Sequence, residues 1–583
     1  MNFQSMKRSI SIIIAILFST VAFSQKKEKD TLGTEVINVV RPYSPTVSDA
    51  FKVKSTPEIN DAEIEKKKQI NYSIFSVPVA STFTPAKGKP KVLKVDPSAP
   101  VYENYVSAAI GSYKTPIIEA FAHTNTTRYN DIGGFFKYHS SAGGIKDVKL
   151  NDDFLDASSD MYYKEENRYF DWQANGGVRF QRYNWYGLPE DYMNFTSTAL
   201  ESIDEEHKYT TVSVGGKINF YDALFQGGAA QLNLFSDNEA SSEIHLLAKP
   251  KLEIPVASEL IEVEGRLEFL TGDFFRDYEG TNDIKYTFFT AGINPSLEIL
   301  RDHLTIQLGA DLIVSHGTAD GDGTKTYVYP DINASYVLID QVLTLYAGAT
   351  GGMHQNTYRD VTNENPFVSP TLRIKRTDEL YNAFGGFKGK LASNINYNFK
   401  GSYKSEKDKP LYKLNPTKTE GSITVERGYE AGNSFMIVYD DVKTISAFGE
   451  ISVDFSKELK FGGTLEYNIY DMSVEQEAWN LPTIKASAFA NFNRDKWFAG
   501  ANLFFVGERK DELSFYYPQN PGPISIENGN YLDLNINGGY KFTDKFTVFA
   551  RVNNVFDSRY QRFANYDVQG LQFLGGLTYK FDF

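Results

Sequence analysis

The chain of 583 residues contains no cysteine, which excludes disulfides and thiolate metal sites. Histidine is scarce. The seven present (His123, His139, His207, His245, His303, His316 and His354) are scattered without paired metal-ligand spacing, so no metal site is expected. No nucleophile elbow, phosphate loop or zinc-hydrolase helix occurs, so no catalytic residue and no cofactor is expected either. Basic residues are in deficit: 60 Lys and Arg stand against 74 Asp and Glu, a net charge of −14 that argues against a nucleic-acid partner. Beyond residue 21 no apolar run is long enough for a membrane helix.

Aromatics, in contrast, are abundant: 14 % of the chain, with 37 Tyr and 43 Phe, alongside 44 Gly. The N-terminus reads as a secretory signal over residues 1–24. Lys7 and Arg8 precede an apolar core at 10–21, and Ala22-Phe23-Ser24 forms a small-x-small cleavage site before Gln25. With no cysteine after that site, no lipoprotein anchor is expected. An exported, aromatic-rich chain that is polar on average fits a transmembrane barrel, whose lumen residues dilute the lipid face. A secreted all-β protein is the rival reading.

Alternation supports the barrel. In the last strand, Leu571, Phe573, Leu577, Tyr579, Phe581 and Phe583 share one parity, while Gln572, Thr578, Lys580 and Asp582 fall on the other. Leu459, Phe461, Leu465, Tyr467 and Ile469 alternate with Lys460, Thr464, Glu466 and Asn468 in the same way. Short polar turns, at 456–458, 493–495, 543–544, 301–302 and 340–341, alternate with long loops at 187–207, 353–380, 406–443, 472–483 and 508–527. Short turns on one side and long loops on the other match an outer-membrane barrel with its short side periplasmic. Traced backward from Phe583, the path gives about 22 strands over 105–583, with 435–441 placed as a hairpin arm inside a long outer loop. The expected fold is all-β: a transmembrane antiparallel up-and-down β-barrel with a short extended periplasmic segment at 25–104. Trp172, Trp185 and Trp497, near strand ends, are expected in the interfacial girdles.

A barrel of this size is that of outer-membrane transporters with a plugged lumen. The last third resembles a TonB-dependent receptor. Val552-Asn553-Asn554-Val555-Phe556-Asp557 followed by Tyr560 resembles that family's penultimate-strand motif, and Asn480-Leu481-Pro482 and Gly507-Glu508-Arg509 are similar to it as well. The Tyr- and Phe-rich style resembles proteins of the Bacteroidota. The terminal Tyr579, Phe581 and Phe583 resemble the signal read by the barrel-assembly machinery. Glu35, Val36, Ile37, Asn38, Val39 and Val40 resemble a TonB box, which would act by strand addition to a partner's sheet edge; a solvated linker is the alternative.

The departure lies in the plug. Residues 25–104 hold 8 of the 22 prolines and only Gly33 and Gly88, which reads as an extended, irregular segment with a short helix near 60–69, not a folded plug sheet. They carry 13 basic and 10 acidic residues, leaving 45 basic and 64 acidic for the barrel. A basic tail below an acidic lumen is drawn into it as a rudimentary plug, or hangs as a periplasmic tether.

The resemblance implies ligand binding and uptake across the outer membrane. Outer-membrane lipid and the assembly machinery are the expected partners, and TonB or a surface lipoprotein are candidates. A non-transporting structural or assembly subunit is the second reading. A barrel enzyme with a rim dyad at His316 or His354 is the third, and no enzymatic activity is expected. Asp320-Gly-Asp-Gly-Thr324 reads as a turn, since a calcium loop's bidentate Glu is missing, and Tyr516 and Tyr517 are candidate loop aromatics for carbohydrate stacking. Lumen residues such as Lys485, Glu466 and Arg551 read as a mutually neutralising wall.

Overall fold

A computed structural model describes residues 102–221, 223–256, 259–319, 323–516 and 522–583. The expected signal at 1–24, residues 25–101 with the TonB-box-like stretch at 35–40 and the expected short helix near 60–69, positions 320–322 and Tyr517 lie outside the described residues.

Twenty-two antiparallel strands form one closed sheet. Each pairs with its neighbour in sequence, and the first, Asn104–Gly111, closes on the last, Gln572–Phe581, with Ala108 opposite Leu577. Closure leaves no free edge, as a membrane-spanning sheet requires. The short turns lie where the sequence puts them. Asp302 and Asp495 occupy left-handed backbone there (φ 46° and 47°), a conformation that short Asx side chains tolerate, and Gln341 takes it as well (φ 60°).

Parity decides which face meets lipid. Leu465, Val214 and Met161 are exposed (55, 56 and 68 %), as are Phe573, Leu577, Tyr579 and Phe583 of the terminal strand, so these form the lipid-facing row. The opposite parity lines the lumen with paired charge. Arg179 makes two 2.8 Å bonds to Asp156, Lys251 lies 2.7 Å from Glu262, and Lys485 stands opposite Glu466. Trp172 and Trp497 lie at the short-turn ends of their strands, as girdle residues do, and Trp497 is exposed.

Two expectations are corrected. Trp185 is not a girdle residue: it is 2 % exposed and stacks on His207 at 4.2 Å among the outer loops, because the strand Phe170–Asn184 ends just before it. Residues 435–441 are not a hairpin arm. They begin the 20-residue strand Phe435–Asp454, paired with Ile395–Leu414. A register shift between Glu406 and Lys409, with Asp408 at φ 49°, lets this ladder run on outward past the length a bilayer demands.

Candidate functional site

The long outer loops do not stand apart. Leu188, Phe195, Val361, Val368, Leu513 and Phe563, from four different loops, are all buried in one apolar cluster that roofs the outer mouth. Each such side chain contributes about 1.5–3 kcal/mol by leaving water. Two loops meet backbone to backbone: a Cβ on Gly428 would lie 1.6 Å from Asp204 O, and one on Gly421 2.2 Å from Asn194 O. Polar groups inside the roof are paired across loops. Asn433 Nδ2 donates to Trp185 O at 2.7 Å and to Gly428 O at 2.8 Å, and Asn415 Nδ2 donates to Ser369 Oγ at 2.9 Å and Ser434 Oγ at 2.8 Å.

The receptor-like motifs converge on this roof. Asn554 and Asp557 take left-handed backbone (φ 47° and 50°). Asn554 Nδ2 donates to Ser558 O at 2.9 Å and Gln569 O at 3.1 Å, and Asp557 Oδ1 accepts from Leu571 N at 2.8 Å, folding the loop back on itself. Tyr560 stacks on Tyr531 at 4.0 Å and donates to Asp533 Oδ2 at 3.0 Å. Arg509 Nη2 donates to Gln561 O at 2.7 Å, and Asn480 Nδ2 donates to Asp511 Oδ2 at 2.6 Å. Asp511 is fully buried, and burial pushes its carboxyl up to about 6.

Under the roof lies a cavity of about 530 Å³. Motif residues Asn553, Asn554 and Tyr560 line it, with Phe154, Tyr183, Tyr186 and Phe367 supplying aromatic surface and Asn535 and Gln572 supplying amides. Its charged groups are Asp152, Asp153, Asp533 and Asp567 against Arg562, and burial raises the Asp567 carboxyl. Sequence reasoning reached the motif residues but missed Phe154, Tyr183, Tyr186 and Phe367. Their alternation and loop position carry no mark that separates a lining aromatic from any other.

The remaining candidates are dispersed. Terminal Tyr579 and Phe583 are exposed on the barrel exterior, with Phe581 between them. His316 Nδ1 lies 2.8 Å from Thr324 Oγ1, and His354 Nε2 lies 3.8 Å from Glu379. Tyr516 lies against Lys418, whose Nζ is 5.2 Å from the ring centroid, so that ring already has a neighbour. Among the described residues no cluster of three or more metal-ligating side chains occurs.

No protein-family profile and no curated protein matches the chain. Solved structures do. The pyoverdine outer membrane receptor FpvA from Pseudomonas aeruginosa matches with a TM-score of 0.60 at 13 % identity, over 82 % of this chain and 78 % of that one. The FrpB iron transporter from Neisseria meningitidis matches at 0.61 and 10 % identity, over 82 % and 81 %. The siderophore receptor PirA from Acinetobacter baumannii matches at 0.60 and 12 % identity, over 82 % and 80 %. The likeness covers 82 % of the chain and agrees with the expected architecture: this chain has the 22-stranded barrel fold that these outer-membrane receptors and transporters share.

Proposed function

We propose that the protein captures a ligand beneath its outer roof and passes it across the outer membrane. The observation that carries this reading is the roofed cavity. Its volume of about 530 Å³ falls within the range of small-ligand sites, and it is lined by both loop and strand-end residues of a barrel whose fold is shared with outer-membrane receptors and transporters. Four carboxyl groups against one guanidinium favour an uncharged or cationic polar ligand over an anionic one. No chemistry on the substrate is part of this reading, since the proteins of like fold are named as receptors and transporters. Energy enters through residues 35–40, by strand addition to a TonB-type partner.

A structural or assembly role is the second reading, favoured by the self-packed roof, which suits a barrel that nothing needs to cross. Residues 35–40 separate the two. A strain lacking the protein is expected to lose an energy-dependent uptake that the full chain restores and a version with alanine at 36–40 does not. Equal restoration by both overturns the coupling, and no uptake defect at all supports the structural reading.

A further inference from the structure

The loop at 356–375 joins the strands Leu343–Gln355 and Arg376–Ala392, yet its helix Tyr358–Glu364 lies inside the barrel. Arg359, Asp360 and Asn363 form one side of a second cavity of about 510 Å³, whose other walls include the mid-strand residues Asp160, Gly177 and Ser213. Asn363 also lines the 530 Å³ cavity under the roof. Asn363 of the helix thus borders both an outer cavity and a mid-lumen cavity.

Its two flanks are held differently. The C-terminal flank is tied by backbone: Val368 bridges Phe435, Ser369 N donates to Phe435 O at 2.9 Å, and Phe435 N donates to Phe367 O at 3.1 Å. The neck of the loop is closed by Asn356, whose Nδ2 donates to Lys375 O at 2.8 Å. The helix itself is held largely by side chains of distant strands. Glu243 Oε2 accepts from Tyr358 N at 2.6 Å and from Tyr286 Oη at 2.8 Å, and its Oε1 accepts from Arg359 N at 3.2 Å. Tyr358 donates its hydroxyl to Asp237 Oδ2 at 2.8 Å, with its ring edge-on to Phe274 at 4.8 Å and Phe235 at 5.1 Å. Arg179, from a strand far round the wall, donates to Asn363 Oδ1 at 2.9 Å.

Glu243 is 2 % exposed. Burying a carboxyl group costs free energy that its hydrogen bonds must offset, and two of its three donors belong to the helix. When the helix leaves, those bonds are lost but Glu243 regains water. The polar part of the anchor is thus partly compensated on leaving, and the apolar part is confined to Tyr358 and Val361.

We propose that the helix Tyr358–Glu364 is the gate of this barrel, latched by Glu243 and Asp237, and that it swings out of the lumen on its fixed flanks, drawing Tyr358 and Val361 from the roof cluster while the other roof loops stay packed together. Withdrawal joins the two cavities. The inference gives the lumen a moving part that the uptake reading does not require. Its test reads the motion itself and not transport, so the two can fail separately.

Because the chain has no native cysteine, a single introduced thiol reports one position. Val361→Cys places it in the helix, where the native side chain is 6 % exposed, and Ala431→Cys places it in a neighbouring roof loop at 0 %. Both are made in the full-length protein, with and without Glu243→Gln and Asp237→Asn, and labelled with a polyethylene-glycol maleimide in detergent. Unlatching is expected to speed labelling at 361 at least tenfold and to leave 431 unchanged. An unchanged rate at 361, or equal acceleration at both positions, overturns the gate. Should the double substitution prevent folding, Asp237→Asn alone, read at Thr362→Cys, is expected to give a smaller acceleration in the same direction, and none there overturns the proposal.

Discussion

Asp511 lies at 0 % exposure in the short roof strand Arg509–Leu513, its Oδ1 accepting from Leu414 N at 3.0 Å. Burial lifts its carboxyl from the ordinary 3.8 to about 6. A raised carboxyl binds its proton more tightly in the folded state, so its stabilising contribution is complete below about pH 4 and is lost as pH rises through about 6. Asp511→Asn removes that loss. The difference in roof melting temperature, variant minus native, is therefore expected to grow from pH 4 to pH 7, and a difference that stays constant contradicts the assignment. Gly428 makes a steric prediction. With Asp204 O 1.6 Å from where a Cβ would sit, Gly428→Ala must push the loops at 185–205 and 415–434 apart. It should cost about 1–3 kcal/mol in the roof. Limited trypsin digestion should then nick these loops while the barrel stays heat-resistant. A roof as resistant as the native one would mean that the two backbones can separate freely.

At the scale of elements, the barrel strands were legible because their period carries a physical meaning. Lipid and lumen impose opposite polarity on alternate residues, and Leu465 and Glu466 obey that rule as plainly in the sequence as in the structure. Leu465→Arg on the lipid face should cost about 2–4 kcal/mol near mid-membrane, whereas Thr464→Arg, turned to the lumen beside Ser487, should cost far less. Equal losses in unfolding titrations of the two would mean that the parity assigned to this strand is wrong. What escaped the sequence lies outside the bilayer. The outer ladder from Phe435 continues past membrane length because loop packing, not lipid, sustains it, and Trp185 is buried by loops that are distant in sequence. The helix Tyr358–Glu364 is only 7 residues long, too short for a periodic signal, and it is capped by Thr357 locally and by Glu243 from another strand.

For the whole molecule, the fold could be read from strand count and turn alternation, and the functional region only in part. Asn480, Arg509, Asn554, Asp557 and Tyr560 were recognisable as a resemblance, and the structure gives them a physical role, organising the roof over the cavity. The aromatic lining and the inward helix were not legible, because both depend on contacts between segments more than a hundred residues apart. The roof and the inward helix border two cavities in the outer part of the lumen. The proposed uptake calls for a partner that supplies energy from below. The measurement that tests this most directly is purification of the tagged full-length protein from its native outer membrane in gentle detergent, with partners identified by mass spectrometry after brief cross-linking. Recovery of a TonB-type protein, lost when residues 36–40 are changed to alanine, is the predicted result. Stoichiometric recovery with other barrels of a secretion or assembly machine, indifferent to those residues, would contradict the uptake account.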